Sequence, residues 1–110
     1  MIVNKTDNYR EFKDAIAENY VCCELKRLYE ENLYYWTAEG SGRAEVDFVI
    51  QDGGDIVPIE VKAGSASRAR SLAEYRKRFE PKKSVLTALY HDKDSILPLY
   101  LFWNLKNWMK

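Results

Sequence analysis

Residues Glu45 to Lys62 read EVDFVIQDGGDIVPIEVK, and the reading of this stretch decides the fold. Ala44, Val46, Phe48 and Ile50 alternate with Glu45, Asp47, Val49 and Gln51, the period of a strand with two unlike faces. Ile56 to Lys62 repeats the pattern, with Val57, Ile59 and Val61 on one side and Ile56, Pro58, Glu60 and Lys62 on the other. Asp52-Gly53-Gly54-Asp55 lies between them as a four-residue turn whose glycines supply positive φ. The pattern predicts a β-hairpin in which Gln51 faces Ile56, Val49 faces Pro58, Asp47 faces Glu60 and Glu45 faces Lys62.

Opposed residues share a face at about 4.5–5.5 Å between Cβ atoms, so two carboxylates meet there with a lysine two residues on. Like charges directly opposed weaken a sheet by roughly 0.2–1 kcal/mol. A hard divalent cation, which takes carboxylate oxygens, would offset that repulsion. The plainer alternative is a solvated face, with Glu45 and Lys62 as an ordinary cross-strand ion pair.

The length of 110 residues suits one domain with its own core, and 46% hydrophobic with 14% aromatic residues excludes a disordered chain. No apolar run reaches the roughly 18 residues of a membrane span, and no signal peptide opens the chain. Cys22 and Cys23 are adjacent, too few for a zinc site and poorly placed to pair, so a reduced, cytoplasmic setting is expected. The formal net charge is zero but unevenly spread. Residues 1–61 carry 6 basic against 13 acidic side chains, whereas residues 62–83 carry 8 against 2. An acidic half beside a basic segment (Lys62, Arg68, Arg70, Arg76, Lys77, Arg78, Lys82, Lys83) suits a metal site next to a phosphate-binding surface. A solvated helix face accounts for any single one of these cations equally well.

Outward from the hairpin, Glu11 to Glu31 is predicted as a helix with Val21, Cys22, Leu25, Leu28 and Tyr29 on one stripe. Glu18 falls inside that stripe. It either approaches the hairpin carboxylates or sits at a rim or in a salt bridge, because a core-facing glutamate is costly without a partner. Leu33 to Thr37 is a short aromatic strand, and Ala38 to Arg43 a loop. Ala63 to Ser67 reads as a small-residue connection, with Ser67 as N-cap of a helix that runs to Phe79 and stops at Glu80-Pro81. Ser84 to Tyr90 is a strand buried on both faces. Ile96 to Trp103 is a further strand or surface run, placed at an edge by Pro98. Residues 1–13 read as a tail or remnant of an upstream region, 14–105 as the domain, and 106–110 as a tail. The order is helix, three strands, helix, strand, and the crossover makes the third and fourth strands parallel. No Gly-x4-Gly-Lys-Ser/Thr phosphate loop is present. His91, alone in a loop, carries no expected role.

Asp47, followed after twelve residues by Glu60-Val61-Lys62 and preceded by a helix bearing Glu18, resembles the PD-(D/E)XK nuclease superfamily. Val46 stands where the superfamily's name has proline. The resemblance implies an α/β fold with a restriction-endonuclease-like core, a mixed sheet in the order α-β-β-β-α-β with helices packed on it. It implies Mg²⁺ (or Mn²⁺) held by Asp47, Glu60 and the backbone carbonyl of Val61, with Glu18 contributing through a water or by positioning. Lys62 would orient or deprotonate the attacking water, and Arg68, Arg70, Arg76, Lys77 and Arg78 would meet DNA. The stretches AIAENYVCCEL, LYYWTAEGSGRAEVDFVI, IVPIEVKAG, KSVLTALY and ILPLYLFWNL resemble more closely the C-terminal domain of unknown function that follows an AAA-type ATPase module. That likeness implies an ATPase domain as partner in the same chain. The expected function is a Mg²⁺-dependent DNA endonuclease-like domain. The alternative is a catalytically silent module that binds nucleic acid or packs on the ATPase. Exposed Trp103 and Trp108 would favour self-association of the fragment.

Overall fold

The computed structural model describes residues 5–30, 33–37, 45–65, 70–90 and 95–110. The elements in order are α1 (Lys5–Tyr29), β1 (Leu33–Thr37), β2 (Glu45–Asp52), β3 (Asp55–Ser65), α2 (Arg70–Phe79), β4 (Val85–Tyr90) and β5 (Ile96–Pro98). A 3₁₀ helix (Leu99–Asn104) and α3 (Leu105–Trp108) follow. This is a mixed α/β architecture. Among the described residues five strands lie in the order β1-β2-β3-β4-β5, four of them five residues or longer and the fifth a three-residue edge. β1, β2 and β3 form an antiparallel meander, and β3, β4 and β5 run parallel.

The hairpin follows the alternation of its sequence over its inner half. Gln51 pairs with Ile56, Ile50 with Val57, Val49 with Pro58 and Phe48 with Ile59. Asp52 and Asp55 also pair, so the loop is the two residues Gly53-Gly54 rather than four, with Gly53 at φ 62. The register is the same for either loop length. Pro58 is tolerated inside the sheet because β4 joins β3 only from Ile59 onward, so its missing N–H removes no bond to that neighbour.

The outer half of the hairpin departs from strict alternation. Tyr34 pairs with Val49 and Trp36 with Val46, so two steps on β1 match three on β2. The extra residue is a bulge between Val46 and Val49. It turns Val46 onto the same side as Val49, and both pack with Tyr75 of α2. Asp47 and Glu60, and Glu45 and Lys62, are therefore not register partners: the ladder ends at Phe48–Ile59.

Two layers of helix cover the sheet. Phe48, Ile50, Val57, Ile59, Val61 and Ala63 face α1, whose Ala17, Val21, Leu25 and Tyr29 recur every four residues. Val49, one residue out of step with Phe48 and Ile50, meets Tyr75, so α2 lies on the opposite face. Burial of residues such as Leu25, Ile50 and Ile59, each 0% exposed, contributes about 1.5–3 kcal/mol apiece. Buried Thr87 donates its hydroxyl to the carbonyl of Leu97 at 2.8 Å, which ties β4 to the edge strand and satisfies the polar group of an otherwise apolar strand.

Several boundaries differ from the sequence reading. α1 begins at Lys5, so residues 5–13 are helical rather than tail; polar first turns carry no apolar period to announce them. β3 continues through Ala63 to Ser65, because Ala63 is buried in the α1 core and Ser65 pairs with Tyr90 of β4. The final strand stops at Pro98, and the segment beyond it is helical. Phe102, Leu105 and Met109 sit in the main core, so residues 106–110 are not a tail. Trp108 is partly buried there, while Trp103 is 55% exposed. α2 ends as expected before Pro81, with Glu80 at φ 45 and its N–H bonded to the Arg76 carbonyl at 3.0 Å. The loop at 38–43, the N-cap at Ser67, Arg68 and His91 lie outside the described residues.

Candidate functional site

The bulge in β2 and the centre of β3 bring Asp47, Glu60 and Lys62 together beneath α2. Asp47 accepts a hydrogen bond at 2.7 Å from the backbone N–H of Val61. The side chain thus takes up a donor that the ladder would have used had the antiparallel pairing continued. Glu60, one residue earlier on β3, lies on the α2 face and is only 4% exposed. One of its oxygens accepts from the backbone N–H of Leu72 at 3.3 Å, and the other lies 3.5 Å from Nζ of Lys62. Leu72 is the third residue of α2, so its N–H is one of the first-turn donors that a helix cannot satisfy internally. Sequence reasoning missed this contact: with Ser67 as N-cap, Leu72 falls fifth in the helix, past the donors left unsatisfied at its start.

The electrostatics of Glu60 are opposed. Burial pushes its carboxyl above the usual carboxylate range, and the charge of Asp47 adds to the rise. Lys62 and the Leu72 N–H act the other way but do not cancel it. Burial is the leading cause, and the contribution of Asp47 shows that the two carboxylates lie within electrostatic reach of each other. The Lys62 side chain is 36% exposed and so bridges the buried carboxylate and solvent.

Glu18 is not brought into this group. It is exposed on α1, the helix of the other face. Among the described residues, no three His, Cys, Asp or Glu side chains converge to hold a metal. The donors present are two carboxylates and the backbone of Val61, a hard-oxygen set. Mg²⁺ commonly binds one or two carboxylates and fills its remaining positions with water and substrate phosphate.

Arg70, Arg76, Lys77 and Arg78 are all exposed on α2, over the same face as Glu60. Arg76 donates from Nε to the Ser84 hydroxyl at 2.7 Å, and Arg78 from Nε to Glu74 at 2.9 Å. Ser84, which follows the Pro81 turn, was another contributor not visible in the sequence. No helix among the described residues is long and apolar enough to cross a membrane.

Among curated proteins none matches this chain. A solved structure described as "Crystal structure of SSO0001" is similar at a TM-score of 0.46 and 17% sequence identity, over 84% of this chain and 56% of that one. The present chain therefore spans little more than half the length of that protein. A family model described as "Domain of unknown function (DUF4143)" matches residues 13–105, and the chain belongs to that family.

Proposed function

We propose that the chain carries a divalent-cation-dependent phosphodiester-cleaving site of the PD-(D/E)XK type, on a restriction-endonuclease-like core, with DNA as substrate. The observation that carries the reading is Glu60. It is a buried carboxylate, raised further by a second carboxylate, and it sits beside a half-exposed lysine under a basic helix. Such a group costs stability in isolation and clusters at functional sites.

Asp47, Glu60 and the carbonyl of Val61 would hold Mg²⁺ or Mn²⁺. The Val61 N–H points to Asp47, and in an extended strand the carbonyl of the same residue projects to the same side. Bound there, the cation would neutralise charge building on the scissile phosphate. Lys62 would orient the attacking water, and its ammonium would stabilise the charge on the phosphate oxygens. The exposed cations of α2 would position the phosphate backbone without reading sequence. The helix–three strands–helix–strand order of the chain supports the same superfamily reading. An AAA-type ATPase domain in the same protein is the proposed regulator.

A second reading, a silent module that packs on that ATPase domain or on another copy, draws on a different feature. An apolar groove of about 560 Å³ is lined by Phe12, Ile16, Tyr20, Leu89 and Tyr100. Phe12 and Tyr100 are 64% and 60% exposed.

The two readings separate in one experiment. Linear, branched and single-stranded DNA are incubated with the protein in the presence of Mg²⁺ or Mn²⁺, alongside calorimetric titration of the metal alone. The nuclease reading expects metal binding and cleavage, both lost in Asp47→Ala, with cleavage alone lost in Lys62→Ala. Cleavage that survives both substitutions, or metal binding that is indifferent to Asp47, overturns it.

A further inference from the structure

We propose that the C-terminal end of α2 is a stacking site for an unpaired nucleobase, with Phe79 as the ring and Arg76, Lys77 and Lys82 as the phosphate contacts. The inference deepens the nuclease reading by naming a single-stranded segment as what the site takes, and it rests on that reading for the reaction though not for the binding.

Phe79 is the last residue of α2 and is 54% exposed. Its surroundings are unusual for an exposed apolar ring. Residues 76–83 read RKRFEPKK, five cations against one acid around a single aromatic. As a hydrophobic contact for a protein partner, such a ring would carry its cations into the interface and pay for their desolvation. A nucleic acid uses both features at once, because the base stacks on the ring face while the phosphates meet the cations.

The ring is also held. Tyr75 lies one turn below it, with ring centroids 4.7 Å apart and planes tilted by 44°. Tyr75 is 6% exposed and packed with Val46 and Val49, so the platform beneath Phe79 is anchored in the sheet. The nearest guanidinium is anchored too: Arg76 donates from Nε to Ser84, and its terminal amino groups are further donors of the kind that phosphate oxygens take. Lys77 and Lys82 are exposed on either side.

The chemistry favours an unpaired strand over a duplex. In a duplex each base face is covered by its neighbours and only the edges are open, so a protruding ring gains no stacking partner. An unpaired base offers its whole face. The position also suits the proposed reaction. Seven residues separate Phe79 from Leu72, whose N–H holds Glu60, which is about 10 Å along the helix axis. That is roughly three stacked nucleotides at about 3.4 Å each. A strand stacked on Phe79 and running back along α2 would bring its phosphates towards Glu60 and Lys62.

The test uses the intact chain in EDTA, so that binding is read without cleavage. Twelve-nucleotide DNA and RNA strands carrying one 2-aminopurine are titrated in parallel with a duplex of the same length, by anisotropy and by quenching of the base. Wild type is expected to bind and quench the single strands. Phe79→Ala should weaken single-strand binding by roughly 5- to 100-fold and abolish the quench, while leaving duplex affinity unchanged. Phe79→Trp should restore both. Lys77→Ala should keep the quench and lower the salt dependence on single strands by about 0.7 in log–log slope. Equal loss on duplex and single strand, an unchanged Phe79→Ala, or no binding by wild type overturns the stacking site. DNA and RNA arms that agree leave the sugar unspecified by this site, and arms that differ assign it. Failure of metal-dependent cleavage would overturn the reaction and leave these binding outcomes standing.

Discussion

Replacing Asp47 with alanine should cost the fold about 1–3 kcal/mol, although the side chain is only half-buried and carries a charge of the same sign as its neighbour. The cost comes from the 2.7 Å bond to the Val61 N–H. A hydrogen bond to an ionised acceptor contributes about 1.5–3 kcal/mol, and a buried donor left without a partner costs about 1–3 kcal/mol. Relief of the repulsion with Glu60 returns part of that. Asparagine should behave differently. Its amide oxygen still accepts from Val61 in a neutral bond, and the repulsion disappears, so Asp47→Asn should lie within about 1 kcal/mol of wild type. Urea unfolding followed by circular dichroism reads both, with an unchanged slope and midpoints separated by roughly 0.5–2 M for alanine. Thermal melts should show a fall of about 4–12 °C for alanine, at about 4 °C per kcal/mol in a domain of this size. If alanine and asparagine are indistinguishable, and both sit within about 0.5 kcal/mol of wild type, the carboxylate does not hold the end of the hairpin. The candidate site then loses the feature that fixes its geometry.

Three further outcomes follow from other parts of the structure. Glu60 binds its proton more tightly in the folded state than in the unfolded chain, so wild-type stability should fall as pH rises from the ordinary carboxylate range towards its raised value. Glu60→Gln removes that dependence; its advantage over wild type should be present at pH 7–8 and absent near pH 4, about the unperturbed value, and a difference independent of pH would contradict the assignment. Glu80→Gly should stabilise by about 0.5–1 kcal/mol, because the left-handed φ of 45 costs a side chain about 1–2 kcal/mol and glycine returns about half of it to unfolded-chain entropy; a melt that moves down instead would mean the Glu80 side chain holds a contact worth more than the backbone relief. Phe102→Ala should cost about 3–5 kcal/mol, since Phe102 is 0% exposed in the core against α1, and a loss under 1 kcal/mol in chemical denaturation would remove the C-terminal segment from that core.

Much of the architecture was readable because the hairpin is so regular. Alternation around Gly53-Gly54 was enough to set which strand residues face each other from Gln51 to Val49, and the Val85–Tyr90 run announced a strand, though Leu89 at 38% exposed shows that it is not buried on both faces. The bulge was not readable. Val46, Phe48 and Ile50 alternate in the sequence as if the strand were continuous, and only the pairing of Trp36 with Val46 reveals the extra residue. That one irregularity is why Asp47 bonds the β3 backbone instead of standing opposite Glu60. Glu18, for which the sequence left a rim position open beside an approach to the hairpin carboxylates, is exposed on α1, because a helical wheel shows which residues share a stripe but not which of them the sheet covers. The C-terminal segment misled because Ile96 to Trp103 is apolar without interruption, a pattern that strand and buried helix share. The spacing of Phe102, Leu105 and Met109 was the helical signal within it.

The packing of Phe102, Leu105 and Met109 against Val21 and Leu25 has a consequence for how the chain is made. The last residues to cover the first helix are translated some eighty positions after it. At about 5–20 residues per second, that helix waits roughly 4–16 s for this last part of its cover, after residues 48–63 of the sheet have already been made. A nascent chain stalled before Phe102 would remain sticky rather than merely incomplete, which makes the late codons a checkpoint on the solubility of everything translated before them.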